Sequence, residues 1–436
     1  MADHPASTRI RTAVVGTGGI VTGAHLPAIA AHLDELELVA AVDIDQDRLD
    51  AFHTTATAID GIGPVTGHTD LATMLETERP QLVLLGTPPS LHHQQARAAL
   101  TAGAWVWAEK PLCLTLAEFD DITAAEGPAG TGPYAAVVAQ HRYGSGTTHA
   151  RRLLTTGELG TPRVAHCQTT WYRNTDYYAV DWRGRWATEG GGPTMGHGIH
   201  QTDLLLHLLG DWTEIRALAG RLVHDIESED VSTALVRFAG GTIATVVNSV
   251  LSPHEVSRIR IDCDDATVEL THLYGHTNND WIYTPRPGID DTRVTNWRTN
   301  PDDTPSSHHA QLAGIIHAYR TGTRPPGSGP DARRTIEFNA ALYKAAFTGR
   351  PVHAGDITPD DPYYTPPPTP PSPSPTPTAN GSASTPQAPK SSPTSTAPTP
   401  KRTNPPNRTP TPSAPSPATS SPATAPTTTA GTKASR

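Results

Sequence analysis

The stretch TAVVGTGGIVTG, residues 12–23, leads from a short apolar run through a group of glycines into a segment with helical spacing. The apolar run predicts a buried strand at 12–15, and the glycines predict the turn between that strand and a helix. Gly16 permits a tight turn, and Gly18 lets the chain approach the phosphates of a dinucleotide at the helix N-terminus. Val21 stands where the G-x-G-x-x-G pattern has its third glycine, so the motif needs support from its surroundings. The residues predicted to contact a dinucleotide here are Gly16, Gly18, Gly19 and Ile20.

The residues after this turn repeat the same order of elements. Apolar runs at 38–42, 82–85 and 105–107 alternate with segments of helical spacing. Apolar strands with helices between them are typical of a parallel, doubly wound (Rossmann) sheet that is covered on both faces. The predicted helices are 25–33 and 91–102, the second capped by Ser90 and closed by Gly103.

Asp43 ends the second apolar run, where a carboxylate would accept hydrogen bonds from the ribose hydroxyls of an adenosine. The same negative charge would repel a 2′-phosphate, so the sequence predicts NAD as the cofactor and disfavours NADP. The alternative is a glycine turn in another kind of doubly wound protein, in which Asp43 only caps the following helix. The order of strand, turn, helix, strand and carboxylate favours the dinucleotide.

The composition excludes several classes of partner. The formal net charge of −10 at pH 7 argues against nucleic acid or an anionic membrane surface. Three cysteines without a Cys-x-x-Cys pair are typical of a reducing cytosol. No apolar segment approaches the ~18 residues of a membrane span and no signal core precedes the first strand, so we expect a cytoplasmic protein. From residue 361 onward Pro, Thr, Ser and Ala dominate, which predicts a disordered tail.

β-branched residues dominate several runs after residue 162, which predicts a change of architecture. Gly240-Gly241 stands between two such runs and predicts a hairpin turn. We therefore expect a mostly antiparallel, open β-sheet domain with helices, and an irregular loop at 275–305. The predicted strands are 163–172, 213–221, 231–238, 242–250 and 256–262, and the predicted C-terminal helices are 307–320 and 331–347. The expected organisation is 1–126 for the Rossmann domain, 127–360 for the second, substrate-binding domain and 361–436 for the tail.

The segment EGGGPTMGHGIHQTD, residues 189–203, precedes a strongly apolar helical run. Its three consecutive glycines would let the backbone pass close to a flat group such as a nicotinamide or a sugar. The helix is predicted to begin near Gly198, which places His200 and Asp203 on one face. His200 has an ordinary pKa near neutrality and could take a proton from a hydroxyl group, while Asp203 could orient the ring or bind a substrate hydroxyl.

Simpler interpretations of this segment stay open. His200 could be a hydrogen-bonded core histidine, and Asp203 could be a first-turn charge that complements the helix dipole. His197, His200 and Asp203 could also form a metal-binding stripe. No cysteine or second histidine pair supports that stripe in the sequence, so we expect no metal.

Glu109-Lys110-Pro111 follows the apolar run at 105–107. Because ligands of open parallel sheets bind beyond the carboxyl ends of the strands, Lys110 is predicted to face the cleft. Its ammonium group could bind a reacting hydroxyl and favour a developing alkoxide. A charged strand end followed by a proline explains the same residues equally well on spacing alone.

Four stretches together resemble the Gfo/Idh/MocA family of oxidoreductases. They are VVGTGGIVTGAHLPAI (14–29), LLGTPPSLHHQQARAALTAGAWVWAEKPL (84–112), TTGELGTPRV (155–164) and WRGRWATEGGGPTMGHGIHQTDLLLHLLG (182–210). With AYRTGTRPP and YKAAFTGRPV further on, they span nearly all of residues 10–354. The resemblance implies an enzyme that transfers a hydride between a nicotinamide cofactor and a sugar, sugar acid or inositol-like polyol.

The resemblance also implies roles for particular residues. It places Lys110 in the active site, as the lysine of the family's EKP motif. It further implies that one face of the second-domain sheet takes part in a subunit interface, which predicts a homo-oligomer. The residues that it places on the cofactor side are Thr87, Pro88, His92 and Glu109.

The chain departs from the family at one position. Many members have an Asp four residues before the histidine that His200 matches, and this chain has Gly196 there. Either Asp203 or Glu189 supplies that carboxylate, or Lys110 and His200 act without one.

Arg183 is the preferred additional substrate contact. It follows Trp182, and an aromatic face with an arginine suits a sugar ring that bears a carboxylate or phosphate. A packing cluster explains these residues equally well. Two other functions stay open: NAD-dependent glycoside hydrolysis or lyase chemistry on the same scaffold, and NAD binding without catalysis.

Overall fold

The computed structural model describes residues 9–272 and 274–365. Most of the predicted tail, residues 366–436, lies outside the described residues. The described chain continues past residue 361, where the Tyr364 hydroxyl donates a hydrogen bond to Asp120 at 2.7 Å. Among the described residues, no helix combines the length and the apolar character needed to cross a bilayer.

The first sheet has six strands in the order 3-2-1-4-5-6, and every pairing in it is parallel. This is the doubly wound order, so the predicted Rossmann sheet is confirmed. Four of its strands are almost wholly buried, as expected when helices cover both faces. The strands are β1 (Ile10–Val15), β2 (Leu36–Val42), β3 (Thr66–His68), β4 (Leu82–Leu85), β5 (Trp105–Ala108) and β6 (Ala135–Val137).

Two of the helices that cover the first sheet begin at residues other than those predicted. The first begins earlier, with a π-helical turn at Val21–His25, and α1 ends at Ala30. Ser90 does not cap the next predicted helix: Pro88 takes the cap position and Pro89 the first helical position, where a missing N–H costs no hydrogen bond. The helices are α1 (Leu26–Ala30), α2 (Gln46–Thr57), α3 (Leu71–Glu78), α4 (Pro89–Thr101) and α5 (Leu116–Ala124).

The second sheet has eight strands in the order 13-12-11-7-10-9-8-14. Its strands pair antiparallel except for the seventh and tenth, which run parallel, so the prediction of a mostly antiparallel sheet is confirmed. The hairpin at Gly240-Gly241 is also confirmed, with Gly241 at φ +88°. The strands are β7 (Pro162–Tyr172), β8 (Trp212–Gly220), β9 (Val231–Phe238), β10 (Ile243–Ser249), β11 (Leu251–Cys263), β12 (Ala266–Thr271), β13 (Trp281–Pro285) and β14 (Val352–His353).

The prediction of an irregular loop at 275–305 is wrong, because this region contains one strand and one helix. Trp281 and Tyr283 alternate with exposed residues along β13 and are buried, and Trp297 anchors the helix with 1% of its surface exposed. Because Asn, Asp and Pro residues surround these buried aromatic residues, the sequence shows no recognisable strand or helix pattern here. The remaining helices are α6 (Ser145–Thr155), α7 (Trp186–Glu189), α8 (Ile199–Leu209), α9 (Asp291–Arg298), α10 (His308–Thr321) and α11 (Gly329–Thr348).

The chain crosses between the two sheets more than once. β6 pairs with β5 in the first sheet although it lies beyond residue 126. α10 returns from the second domain, and its Leu312 and Ile315 belong to the same apolar core as Ile29 of α1. The first domain therefore draws residues from two separate parts of the sequence.

A buried arginine connects the end of the first sheet with two helices of the second domain. Arg142 lies in a 3₁₀ turn after β6, and 3% of its side chain is exposed. Its Nε donates to Asp203 of α8 at 2.6 Å, and its two terminal nitrogens bond Asp203 and Asp331 of α11. Thr335 adds a hydrogen bond to Asp203 at 2.9 Å. The neighbouring carboxylates more than offset burial and raise the pKa of Arg142, so the guanidinium is always charged.

Replacing Arg142 with methionine should lower the free energy of unfolding by about 3–5 kcal/mol, because it leaves the buried Asp203 carboxylate without its counter-charge. Urea unfolding followed by circular dichroism measures the loss. The matched control is Arg163→Met, which breaks a surface pair with Asp264 and should change stability little. Equal losses in both variants would contradict a structural role for Arg142.

Candidate active site

A cleft of about 410 Å³ lies where the carboxyl ends of β5 and β6 meet α8 and α11. Lys110, His200 and Asp203, which the sequence predicted as site residues, all line it. His141 and Thr335 line it too, and neither was predicted from the sequence. His141 follows β6, and recognition of that short strand would have predicted a residue at this edge of the sheet.

Lys110 follows β5 and reaches across to the segment before α8. Its Nζ donates a hydrogen bond to the carbonyl oxygen of Gly196 at 2.7 Å. Burial lowers the pKa of Lys110, and the nearby charges of Glu109 and Glu189 act against that shift. An ammonium group in such surroundings is a strong donor to an oxygen that gains negative charge.

His200 lies on the first turn of α8 and is buried, with 7% of its surface exposed. Its ring stacks on that of His141, with the ring centroids 5.2 Å apart and the planes at 21°. Burial, and then the charge of Lys110, hold the pKa of His200 well below its ordinary value. The imidazole is therefore neutral at neutral pH, and one of its two ring nitrogens can accept a proton.

The other predicted substrate contacts are already engaged within the protein. Both oxygens of Asp203 accept hydrogen bonds from Arg142. The guanidinium carbon of Arg183 lies 3.9 Å from the centre of the Tyr177 ring, and its Nη1 donates to the Tyr177 carbonyl at 3.1 Å. His197 lies beside the same ring, with its Nε2 3.3 Å from the Tyr177 hydroxyl.

The three glycines before α8 serve a different purpose from the one predicted. A Cβ atom on Gly192 would lie 1.8 Å from the carbonyl oxygen of Glu229. On Gly191, at φ +157°, it would lie 2.0 Å from the Tyr343 hydroxyl. Close packing within the protein requires these glycines, so the expected approach to a flat ligand is wrong as their explanation.

The glycine turn after β1 fits a dinucleotide. Gly16 has φ +82°, and a Cβ there would lie 2.9 Å from the backbone of Gly86, so no other residue suits this position. A Cβ on Gly18 or Gly19 would meet nothing within 4 Å, so the outer side of the turn is open. Open space at glycines before a helix start is what a pyrophosphate requires.

Asp43 lies beside this turn and is buried. Its Oδ2 accepts hydrogen bonds from the Thr17 amide at 2.8 Å and the Thr17 hydroxyl at 3.0 Å. The carboxylate thus joins the end of β2 to the glycine turn. Its Oδ1 also accepts the amide of Asp45, at 3.1 Å.

Glu109 lies between two histidines at the end of β5. Its Oε1 is 3.0 Å from Nε2 of His25 and 2.9 Å from Nε2 of His308. Burial alone would raise the pKa of Glu109, but the two histidines hold it well below its ordinary value. The carboxylate oxygen of Glu109 and the ring nitrogens of His25 and His308 could ligate a metal ion, and these atoms lie within 4.8 Å of one another. The two histidines already form hydrogen bonds with this oxygen.

His92 connects the two loops that follow β4 and β5. Its ring nitrogens lie 2.7 Å from the carbonyl oxygen of Pro111 and 2.8 Å from that of Thr87. Pro88 caps α4 directly after Thr87. The ring therefore fixes both loops at the edge of the sheet where the cofactor is expected.

Comparison with known families identifies the architecture. Residues 10–131 match the model described as "Oxidoreductase family, NAD-binding Rossmann fold", and residues 147–269 match the GFO/IDH/MocA C-terminal domain. The chain belongs to the GFO/IDH/MocA oxidoreductase family. Its first domain is an NAD-binding domain, as the glycine turn and Asp43 predicted.

Individual proteins of known name share only part of their sequence with this chain. A protein of Amycolatopsis mediterranei named as a UDP-kanosamine synthase oxidoreductase subunit is 37% identical over 205 residues, which cover 46% of this chain and 52% of that relative. The chain thus spans about half the length of that relative. D-apiose dehydrogenase of Paraburkholderia graminis is 26% identical over 82% of this chain and 93% of its own length. The WlbA dehydrogenase from Chromobacterium violaceum, solved with NADH and UDP-GlcNAcA, has the same fold (TM-score 0.68, 24% identity, 82% of this chain and 100% of that chain).

Replacing Asp43 with alanine should weaken NADH binding by roughly tenfold and reduce the preference for NADH over NADPH, because the variant loses both the ribose acceptor and the charge that repels a 2′-phosphate. Fluorescence titration with each nucleotide measures both effects. Asp45→Ala is the control, since Asp45 caps α2 through the amides of Asp47 and Arg48. Unchanged affinity and selectivity in the Asp43 variant would argue against a role in cofactor binding.

Proposed function

We propose that the protein is an NAD-dependent dehydrogenase that oxidises a CH–OH group of a sugar, sugar acid or inositol-like polyol, or reduces the matching ketone. The observation that carries this proposal is that Lys110 of the first domain and His200 of the second line one cleft at the carboxyl end of the sheet. The dehydrogenase relatives support the substrate class, since their names refer to sugars.

Lys110 and His200 have different roles in the oxidation direction. NAD⁺, held at the glycine turn of Gly16, Gly18 and Gly19, would supply the acceptor for the hydride that leaves the substrate carbon. Lys110 donates a hydrogen bond to the substrate oxygen and stabilises the negative charge that develops on it. His200, which is neutral, accepts the hydroxyl proton, so the O–H electron pair becomes the second bond of the carbonyl group. The ketone leaves, and the imidazolium returns its proton to solvent.

The region beside the cleft favours a substrate that carries a negative charge. Arg173 and Arg183 both contact the ring of Tyr177, with their guanidinium carbons 5.3 Å and 3.9 Å from its centre. The Nε of Arg183 is buried and has no hydrogen-bond partner among the described residues. A carboxylate or phosphate on the substrate would satisfy it.

The two alternative functions predict different products. A glycoside hydrolase or lyase on this scaffold would oxidise and re-reduce its substrate, so product would form without net NADH. A binding protein would take up NADH and convert no polyol. A panel of polyols, sugar acids and glycosides with NAD⁺, followed by cofactor absorbance and by product analysis, separates the three.

Replacing Lys110 with alanine should lower kcat by roughly 10²-fold or more while NADH still binds, because the lysine acts on the reacting oxygen. Steady-state kinetics and a nucleotide titration measure the two effects. The matched control is Lys344→Ala, because Lys344 does not line the cleft and pairs with Asp361 instead. Full activity of the Lys110 variant would refute the assignment.

We also propose that a second copy of the chain covers the outer face of the second sheet. Leu218, Leu235 and Ile243 on β8, β9 and β10 are 73%, 55% and 49% exposed, while the residues that alternate with them are largely buried. Exposed aliphatic side chains on adjacent strands, here interspersed with Arg216 and Arg237, are typical of a protein interface. α8 and α11 occupy the opposite side of the sheet and leave this face open.

Replacing Leu235 with aspartate should reduce the molecular mass in solution to that of a smaller assembly, because a charge would then lie at the centre of this aliphatic face. Light scattering coupled to size exclusion measures the mass. Val223→Asp changes an equally exposed residue outside the strands and should leave the mass unchanged. A monomeric wild-type protein would contradict the proposed assembly.

A further inference from the structure

Glu189 ends α7 and is buried, with 5% of its surface exposed. Its Oε2 accepts a hydrogen bond from the amide of Gly184 at 2.7 Å. None of the residues at 9–272 and 274–365 donates a hydrogen bond to the other oxygen, Oε1. Oε1 therefore remains available as an acceptor for a neighbouring group.

The unbonded oxygen lies beside Gly196. A Cβ atom built on Gly196 would be 2.9 Å from Oε1 of Glu189. The Gly196 backbone is not left-handed, so it is the carboxylate that occupies the space a side chain would need. The carbonyl oxygen of the same residue holds the Lys110 ammonium at 2.7 Å. Glu189 and Lys110 are thus both direct neighbours of residue 196.

The other carboxylates of this region have partners on both oxygens. Glu109 accepts from two histidines and from the amide of Lys110. Asp203 accepts from Arg142. Glu229 accepts from two amides and from the Tyr343 hydroxyl. Of these four groups, Glu189 alone has an oxygen left over in the described structure.

We propose that Glu189 is a positioning residue for Lys110: its carboxylate supplies the negative charge that keeps the buried lysine protonated while the lysine holds the substrate oxygen. The inference rests on the proposed function, since it concerns the charge state of the proposed catalytic lysine. A side chain at residue 196 would displace this carboxylate.

The electrostatics of the pair agree with this role. Burial lowers the pKa of Lys110, and the charges of Glu109 and then Glu189 act against that shift. Burial raises the pKa of Glu189 to about 7, in spite of the Gly184 hydrogen bond and the Lys110 charge. Above this value Glu189 carries a negative charge, and this is the pH range in which Lys110 would otherwise lose its proton. The charged and titratable groups that face Glu189 are Lys110, Tyr177, Tyr178, Arg183, Glu229 and Tyr343.

The first test compares the pH dependence of kcat/KM in wild type and in Glu189→Gln, which keeps an acceptor for the Gly184 amide. Wild type should lose activity as the pH rises through the pKa of Lys110, which burial lowers. In the variant this alkaline decline should begin roughly one pH unit lower, because Lys110 has lost a charge that favours its protonated form, and the acidic side of the profile should stay the same. Glu227→Gln, an exposed neighbour, is the control. A profile that keeps its shape and is lowered equally at every pH would overturn the proposal.

The second test moves the carboxylate. Glu189→Ala opens the space beside residue 196, and Gly196→Asp then returns a negative charge to it. Each single variant should be impaired, and the double variant should regain activity above the level of Glu189→Ala, with its alkaline decline shifted back toward that of wild type. A double variant no better than Glu189→Ala, with both proteins folded by circular dichroism, would count against the role.

A third measurement is independent of turnover. The chain has few lysines, namely Lys110, Lys344, Lys390, Lys401 and Lys433. With isotope-labelled lysine, the signal that disappears in Lys110→Arg reports the titration of Lys110 by nuclear magnetic resonance. Its pKa should fall in Glu189→Gln and stay unchanged in Glu227→Gln. An unmoved Lys110 titration would refute the proposal even if every sugar were oxidised, whereas a failure to oxidise any sugar would count against the proposed function alone.

Discussion

The buried guanidinium of Arg142 is the constraint on which the arrangement of the cleft depends. It follows the last strand of the first sheet and binds Asp203 on α8 and Asp331 on α11. His200 precedes Asp203 by about one helical turn, so the same ion pair that neutralises the aspartate also sets the position of the imidazole. This link adds to the direct hydrogen bond between Lys110 and Gly196 in fixing the lysine of the first domain against the histidine of the second.

Burial then determines the chemistry of the groups that face each other. A closed environment makes charged histidine costly, so His200 stays neutral and can accept a proton. The same environment weakens the hold of Lys110 on its proton, and nearby carboxylates act against this. Of the two carboxylates, Glu109 is already engaged with two histidines. The balance between burial and a single uncommitted acid therefore governs how the site responds to pH.

Sequence patterns that span only a few residues predict much of this structure. The glycine turn at Gly16, the apolar strands around it and the hairpin at Gly240-Gly241 all have local signals, and the structure has them as predicted. β6 has three residues and follows a glycine and a proline, so it left no periodic pattern. The pairing of Arg142 with Asp203 and Asp331 joins residues 61 and 189 positions apart, which no local pattern can report. The free oxygen of Glu189 could not be foreseen for the same reason, since it depends on which neighbours bond the other carboxylates.

Because α10 packs against the first domain, it limits how the gene can recombine with related genes. Leu312 and Ile315 of α10 cover the surface around Ile29, so the first half of the coding sequence does not encode a closed first domain. A crossover that replaced everything after β6 with foreign sequence would expose that apolar surface. Shuffling of substrate specificity between such genes is therefore confined to internal segments that leave α10 in place, or to gradual substitution within the second domain.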